Sequence, residues 1–223
     1  MSAERITVDL PSGAVEVSAE YSRPDHAWAT LAIAHGAGAG HQHPFLVGFA
    51  EAVADAGVAA LRFAFPYVEA GRRMPGPAAH AIATWGAVMR WLENVDAPRP
   101  MWAGGKSYGG RMASMAAAEG TITPAGLVYL GYPLHPPGEP AKARVAHLPA
   151  VVPPQLFVEG TRDPFIDPHE QLLEAVASCQ DAREQWIEGG GHSFEVKGRK
   201  LPADRVGAEL AAPVVAFLRS RGV

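Results

Sequence analysis

The sequence predicts an α/β fold in which a mostly parallel, doubly wound sheet is opened by an antiparallel hairpin and carries no large lid. Three observations predict it. From Trp28 onward, short apolar runs of strand length alternate with amphipathic segments of helix length, which implies a parallel sheet with helices on both faces. The first residues instead read as two adjacent strands with no helix between them. The chain of 223 residues suits one domain, residues 1–223, with a substantial core.

The elements follow in order. Residues 5–10 and 14–21 are the hairpin strands, joined at Pro11, Ser12 and Gly13. Residues 28–34 form a buried strand running into a glycine-rich loop, 35–40. Phe45, Leu46, Phe49, Ala50 and Val53 share one helical face, Gly57 ends that helix, and 58–65 is the next strand. Ile82, Trp85, Met89 and Leu92 fall at spacings of three, four and three, the period of a helix packed on a core. A strand over 100–104 leads to a turn at Ser107 and an Ala/Met-rich helix to Glu119. Strands over 126–131, 155–159 and 184–187 follow, with a helix over 168–178 and a closing helix over 203–219 in spite of Pro213. The stretch 133–154 is proline-rich and aperiodic. At about 20 residues it is too short for a lid domain, so an open site is expected.

Composition narrows the function. Hydrophobic and charged contents of 48% and 19% are those of a folded globular chain. The net charge is −4, and Arg72-Arg73 is only a pair, so no nucleic-acid partner is expected. No apolar run reaches the roughly 18 residues of a membrane span, so no membrane association is expected. The segment MSAERITVDL lacks the cationic start and apolar run of a signal peptide. Cys179 is the only cysteine, which excludes an intrachain disulfide and fits a reducing compartment. A cytoplasmic protein is expected; composition says nothing of oligomeric state.

The stretch WAGGKSYGG, residues 102–110, fits two motifs. Read as a phosphate loop it needs a glycine five residues before Gly105, but Pro100 stands there, without an N–H to offer a phosphate. Read as G-x-S-x-G it places Ser107 on a strand-to-helix turn, with Gly105 and Gly109 letting strand and helix approach and Gly104 and Gly110 adding room. Lys106 then lies along the elbow, outside the chemistry.

A serine nucleophile needs a base, and the base an orienting acid, in this fold in the order Ser, Asp/Glu, His. Asp163 follows the strand 155–159, and His192 sits on a glycine loop after the strand 184–187. Asp167 competes with Asp163, which is nearer the strand end. An oxyanion hole is expected from the N–H groups of Tyr108 and Ala37, with Gly36 second to Ala37. Glycines at 36, 38 and 40 do not make a dinucleotide fingerprint, since His41 stands where its last glycine belongs. His35, His41 and His43 lack a carboxylate or cysteine at ligand spacing, so no metal and no other cofactor is expected, and His35 is read as anchoring its loop.

With these residues in place the sequence resembles the α/β-hydrolase superfamily, and most of all its small, lidless, dienelactone-hydrolase-like members, a subgroup of predicted α/β-hydrolases. The resemblance runs over nearly the whole chain through HGAGAG, RFAFPY, GRRMP, LGYPLHPPGEP, GTRDPF and GHSF. A related domain occurs in a subunit of a histone acetyltransferase complex. The resemblance implies a Ser107–His192–Asp163 triad. Dienelactone hydrolases themselves use cysteine as nucleophile, so their specificity does not carry over to a serine. The expected activity is hydrolysis of a carboxylic ester or similar small acyl compound. The alternatives are a non-catalytic binding or scaffold protein and an acyltransferase with the same triad. Gly36, Tyr67, Arg72, Arg73, His135 and Phe165, on loops after strands, are the expected pocket wall.

Overall fold

The computed structural model describes residues 1–221. Strands β1 (Ser2–Leu10) and β2 (Gly13–Ser22) form the hairpin, with Leu10 paired to Gly13 across the turn. Along β1 and β2 buried and exposed residues alternate near the centre, the mark of a sheet covered on one face. The next two strands are different. β3 (Ala29–Ala34) is buried at every position, as is β4 (Val58–Phe63), with α1 (Pro44–Asp55) crossing between them. Strands buried on both sides are those of a doubly wound sheet.

After β4 comes a short helix, α2 (Pro66–Glu69), followed by α3 (Ala78–Asn94), β5 (Met101–Lys106) and α4 (Tyr108–Ala118). β6 (Leu127–Leu130) and β7 (Gln155–Gly160) are separated by a stretch containing two 3₁₀ turns, Pro140–Lys142 and Leu148–Ala150. The chain ends through α5 (His169–Ser178), β8 (Ala182–Ile187), α6 (Ala203–Glu209) and α7 (Ala211–Arg221). The continuous closing helix expected over 203–219 is therefore two helices, interrupted at Leu210. Pro213 explains the break: it has no N–H and is tolerated only in a first helical turn, the place it holds in α7.

The strand order is β1-β2-β4-β3-β5-β6-β7-β8, parallel from β4 to β8 and antiparallel at β1 and β2. From β3 the chain first moves to one side, to β4, then returns to the other, to β5. This reversal opens a crevice at the carboxyl ends of β3 and β5, where open α/β sheets bind ligands. Two cores flank the sheet. One, with Trp85, Met112, Tyr129 and Leu172, lies under α3, α4 and α5; the other, with Phe49, Trp102, Val214 and Leu218, lies under α1, α6 and α7. α1 and α6 cross at backbone distance, because Gly48 and Gly207 leave no side chain between them: a Cβ at Gly207 would stand 2.0 Å from the Phe45 oxygen. Among the described residues no helix is long and apolar enough to cross a membrane.

Candidate active site

β5 ends at Lys106 and α4 begins at Tyr108, so Ser107 alone makes the turn between them. Its φ of 50° and ψ of −115° put a residue with a Cβ in strained territory. Close packing holds it there. A Cβ at Gly105 would stand 2.5 Å from the Ala34 oxygen, and one at Gly109 2.6 Å from the His35 oxygen. Gly104 and Gly110 are equally confined, by the carbonyl oxygens of Val128 and Gly105, so they are required by the turn and do not merely add room.

Asp163 sits buried just past β7. Its Oδ1 accepts the Phe165 N–H at 2.8 Å, and its Oδ2 lies 2.6 Å from His192 Nδ1. His192 Nε2 is 2.8 Å from Ser107 Oγ. With Nδ1–H donating to the carboxylate, Nε2 is left as the acceptor for the serine hydroxyl. Burial lowers the His192 pKa, the hydrogen bond to Asp163 raises it in part, and the Lys106 charge lowers it again. The imidazole is therefore neutral at pH 7. The loops bearing Asp163 and His192 are tied to each other: Arg162 N–H donates to the Gly190 oxygen at 2.8 Å, and Gly189 N–H to Thr161 Oγ1 at 2.8 Å. Asp167 is exposed, and the carboxylate bonded to His192 is that of Asp163.

The loop 35–40 passes directly over the serine; a Cβ on Gly36 would be 3.7 Å from that of Ser107. His35 pins it. Its Nδ1–H donates to the Gly36 oxygen (2.8 Å) and its Nε2 accepts the Phe65 N–H (3.1 Å). Burial pushes its pKa down to about 4, as a neutral, bridging imidazole requires. Tyr108 N–H, at the first position of α4, has no carbonyl one turn earlier to bond. Among the described residues Ala37 N–H has no backbone acceptor either. His43 serves α1, its Nδ1 accepting the Phe45 N–H at 3.3 Å.

Ser107, His192, Ala37 and Tyr108 face one cleft of about 660 Å³. One wall is apolar, made by Phe45 and Leu46 of α1 with Ala203 and Val206 of α6. Gly36 and Phe165 line the cleft, and the Phe165 ring stacks on the His192 imidazole at 4.1 Å. Four residues expected on the wall lie elsewhere. Tyr67 is buried behind the loop 35–40, edge-on to His35 and Tyr108. Arg72 and Arg73 are exposed, because α2 carries the chain past the sheet edge before they are reached. His135 is fully buried, its Nδ1 bonded to the Pro136 oxygen.

Three cations do line the cleft: Lys106, Arg111 and Arg144. Lys106, expected along the elbow, is among the residues lining the cleft, and its amine stands 5.8 Å from the centre of the Phe194 ring. Burial pushes it down to about 8, against the pull of Asp163, Glu159 and Glu195. Glu159, at the end of β7, is fully buried with Oε1 accepting the Tyr132 N–H at 2.7 Å. Burial raises its pKa, and the Tyr132 N–H and the Lys106 charge oppose the rise. The sequence reading did not single out Arg111, whose one signal is its place four residues after Ser107; Arg144, in an aperiodic stretch, left no such signal.

Comparison with known proteins identifies the family and the fold. A family model described as an alpha/beta hydrolase domain matches residues 27–218. The structure is similar to a dienelactone hydrolase from Anabaena variabilis, at 22% identity over 100% of this chain and 99% of the other, with a TM-score of 0.73. It is similar to an alpha-beta serine hydrolase homologue from Coxiella burnetii (21% identity, 98% of each chain, TM-score 0.74). A lidless serine hydrolase from Xanthomonas campestris is also similar (20% identity, 99% of this chain and 95% of the other, TM-score 0.73). At these identities the likeness is one of fold. With that sheet order, and with the family model matching most of its length, the chain belongs to the alpha/beta hydrolase family.

Proposed function

We propose that the protein is a serine hydrolase that cleaves a carboxylic ester or related small acyl compound through an acyl-enzyme. The observation that carries this reading is the hydrogen-bonded chain from Asp163 through His192 to Ser107, opening on the cleft. A serine hydroxyl is a weak nucleophile unless a neutral base takes its proton as it attacks, and His192 is held in that tautomer. Ser107 Oγ attacks the carbonyl carbon while His192 Nε2 receives the hydroxyl proton. Asp163 keeps Nδ1–H in line and stabilises the imidazolium that forms. The N–H groups of Tyr108 and Ala37 meet the developing oxyanion, each worth about 3 kcal/mol in the transition state. His192 then gives its proton to the leaving alcohol, and a water activated by the same nitrogen releases the acid.

A fluorophosphonate probe tests this directly. The wild type should be labelled and Ser107→Ala should not; equal labelling of both, or none of the wild type, would leave a non-catalytic member of the fold. The open cleft favours short acyl chains. In a p-nitrophenyl ester series kcat/KM should peak at short chains, and a rise toward long ones contradicts the reading.

A further inference from the structure

The side of the cleft built from α4 and the stretch between β6 and β7 carries two guanidiniums and no carboxylate. Arg111 stands four residues after Ser107, in the first turn of α4, and lines the same cleft. Its backbone N–H donates to the Ser107 oxygen at 3.1 Å. Arg144 reaches the same cleft from the stretch between the strands. Arg111 Nε is buried without a hydrogen-bond partner. Neither arginine belongs to an ion pair among the described residues.

Nothing nearby neutralises them. Burial lowers the Arg111 pKa, the Tyr132 phenol opposes this, Arg144 lowers it further, and the Tyr108 phenol opposes again. His147, also within reach of the Arg111 charge, is pushed down to about 4, chiefly by burial, and is neutral at pH 7. The carboxylate on the cleft, Glu195, is exposed and acts on Lys106 and His192. Two like charges facing one cleft, one of them partly desolvated, are unfavourable in the empty protein. An anion between them removes that cost, and a guanidinium fork fits either carboxylate or phosphate in two parallel hydrogen bonds.

We infer that Arg111 and Arg144 form an anion subsite beside Ser107, and that the substrates of this cleft are esters bearing a carboxylate or phosphate group a short chain away from the scissile carbonyl. The inference rests on the serine-hydrolase reading for turnover, while the subsite itself can be read by binding alone.

Two matched ester pairs test it: mono-4-nitrophenyl adipate against its methyl ester, and 4-nitrophenyl 5-phosphonopentanoate against its dimethyl ester. The charged member of at least one pair should have the higher kcat/KM, by about tenfold or more, and which pair shows it identifies the anion. The preference should fall toward one in Arg111→Gln and in Arg144→Gln, and persist in Arg72→Gln, whose side chain is exposed outside the cleft. Calorimetric titration with adipate and with inorganic phosphate reads the subsite without turnover. Binding of either by the wild type, weakened in both variants, supports the inference. If neither binds, or if the variants bind and discriminate as the wild type does, it is overturned, even where fluorophosphonate labelling upholds the hydrolase. A wild type that binds anions yet neither labels nor hydrolyses keeps the subsite and overturns the hydrolase reading instead. Should Arg111→Gln fail to fold, Arg144→Gln decides alone.

Discussion

His192 acts as a base only while it is neutral, so its surroundings set the pH range of the proposed reaction. Burial and the Lys106 charge both lower its pKa from the ordinary 6.5. The rate of short-ester hydrolysis should therefore rise with pH along a limb centred below pH 6.5 and be level by neutral pH. Lys106→Met removes a cation that disfavours the imidazolium, so the limb should move to higher pH; a pH profile of kcat/KM that stays in place would rule out this influence. The residues of this relay were legible because each sits at the end of a strand, and strand ends can be read from where an apolar run stops. The pocket wall was not legible in that way. Arg72 and Arg73 also follow a strand, but the single turn of α2 carries them out to solvent. Arg111 reaches the cleft only through the phase of α4 relative to Ser107, which an elbow fixes and a run of alanines hides.

Elements tell a similar story. The alternation of apolar runs suffices for the inner parallel strands β3, β4, β6 and β7, whose burial at every position leaves little ambiguity. α2 is too short to show a helical period, and the division between α6 and α7 follows from which turn Pro213 occupies, which hydrophobic pattern does not reveal. The α1–α6 crossing is invisible in sequence for another reason: Gly48 and Gly207 matter to each other only once the helices meet. Since a Cβ at Gly207 would reach 2.0 Å from backbone, Gly207→Ala must push α6 outward. The expected loss is about 3 kcal/mol of stability, at the upper end for overpacking because the obstruction is main chain, seen as a lower melting temperature by calorimetry. α6 also carries Ala203 and Val206 into the cleft, so the same variant should lose activity below the temperature at which it unfolds.

For the molecule as a whole, buried neutral histidines set the response to acid. His35 has a pKa of about 4 in the folded state and about 6.5 in the unfolded chain. Between these values the unfolded chain binds a proton that the folded one refuses. His35 therefore leaves stability undiminished above pH 6.5 and costs about 3 kcal/mol once pH reaches 4; His147 acts in the same direction. Urea midpoints should fall through that window. His35→Gln should show a shallower fall; an equal slope in both proteins would mean that His35 gains its proton without unfolding. No composition statistic carries this, because it depends on which of nine histidines is enclosed.

The cleft also has an order of assembly. Ser107 and its elbow lie in the first half of the chain, whereas His192 and the wall residue Val206 come near its end. During synthesis the strained serine can thus emerge, and β3 to β7 can pair around it, with His192 not yet made. Under the proposed mechanism the nascent chain is chemically silent, and reactivity arrives with the last loop and helix. Ribosome-bound chains stalled before Gly189 should take up no fluorophosphonate, while full-length chains should.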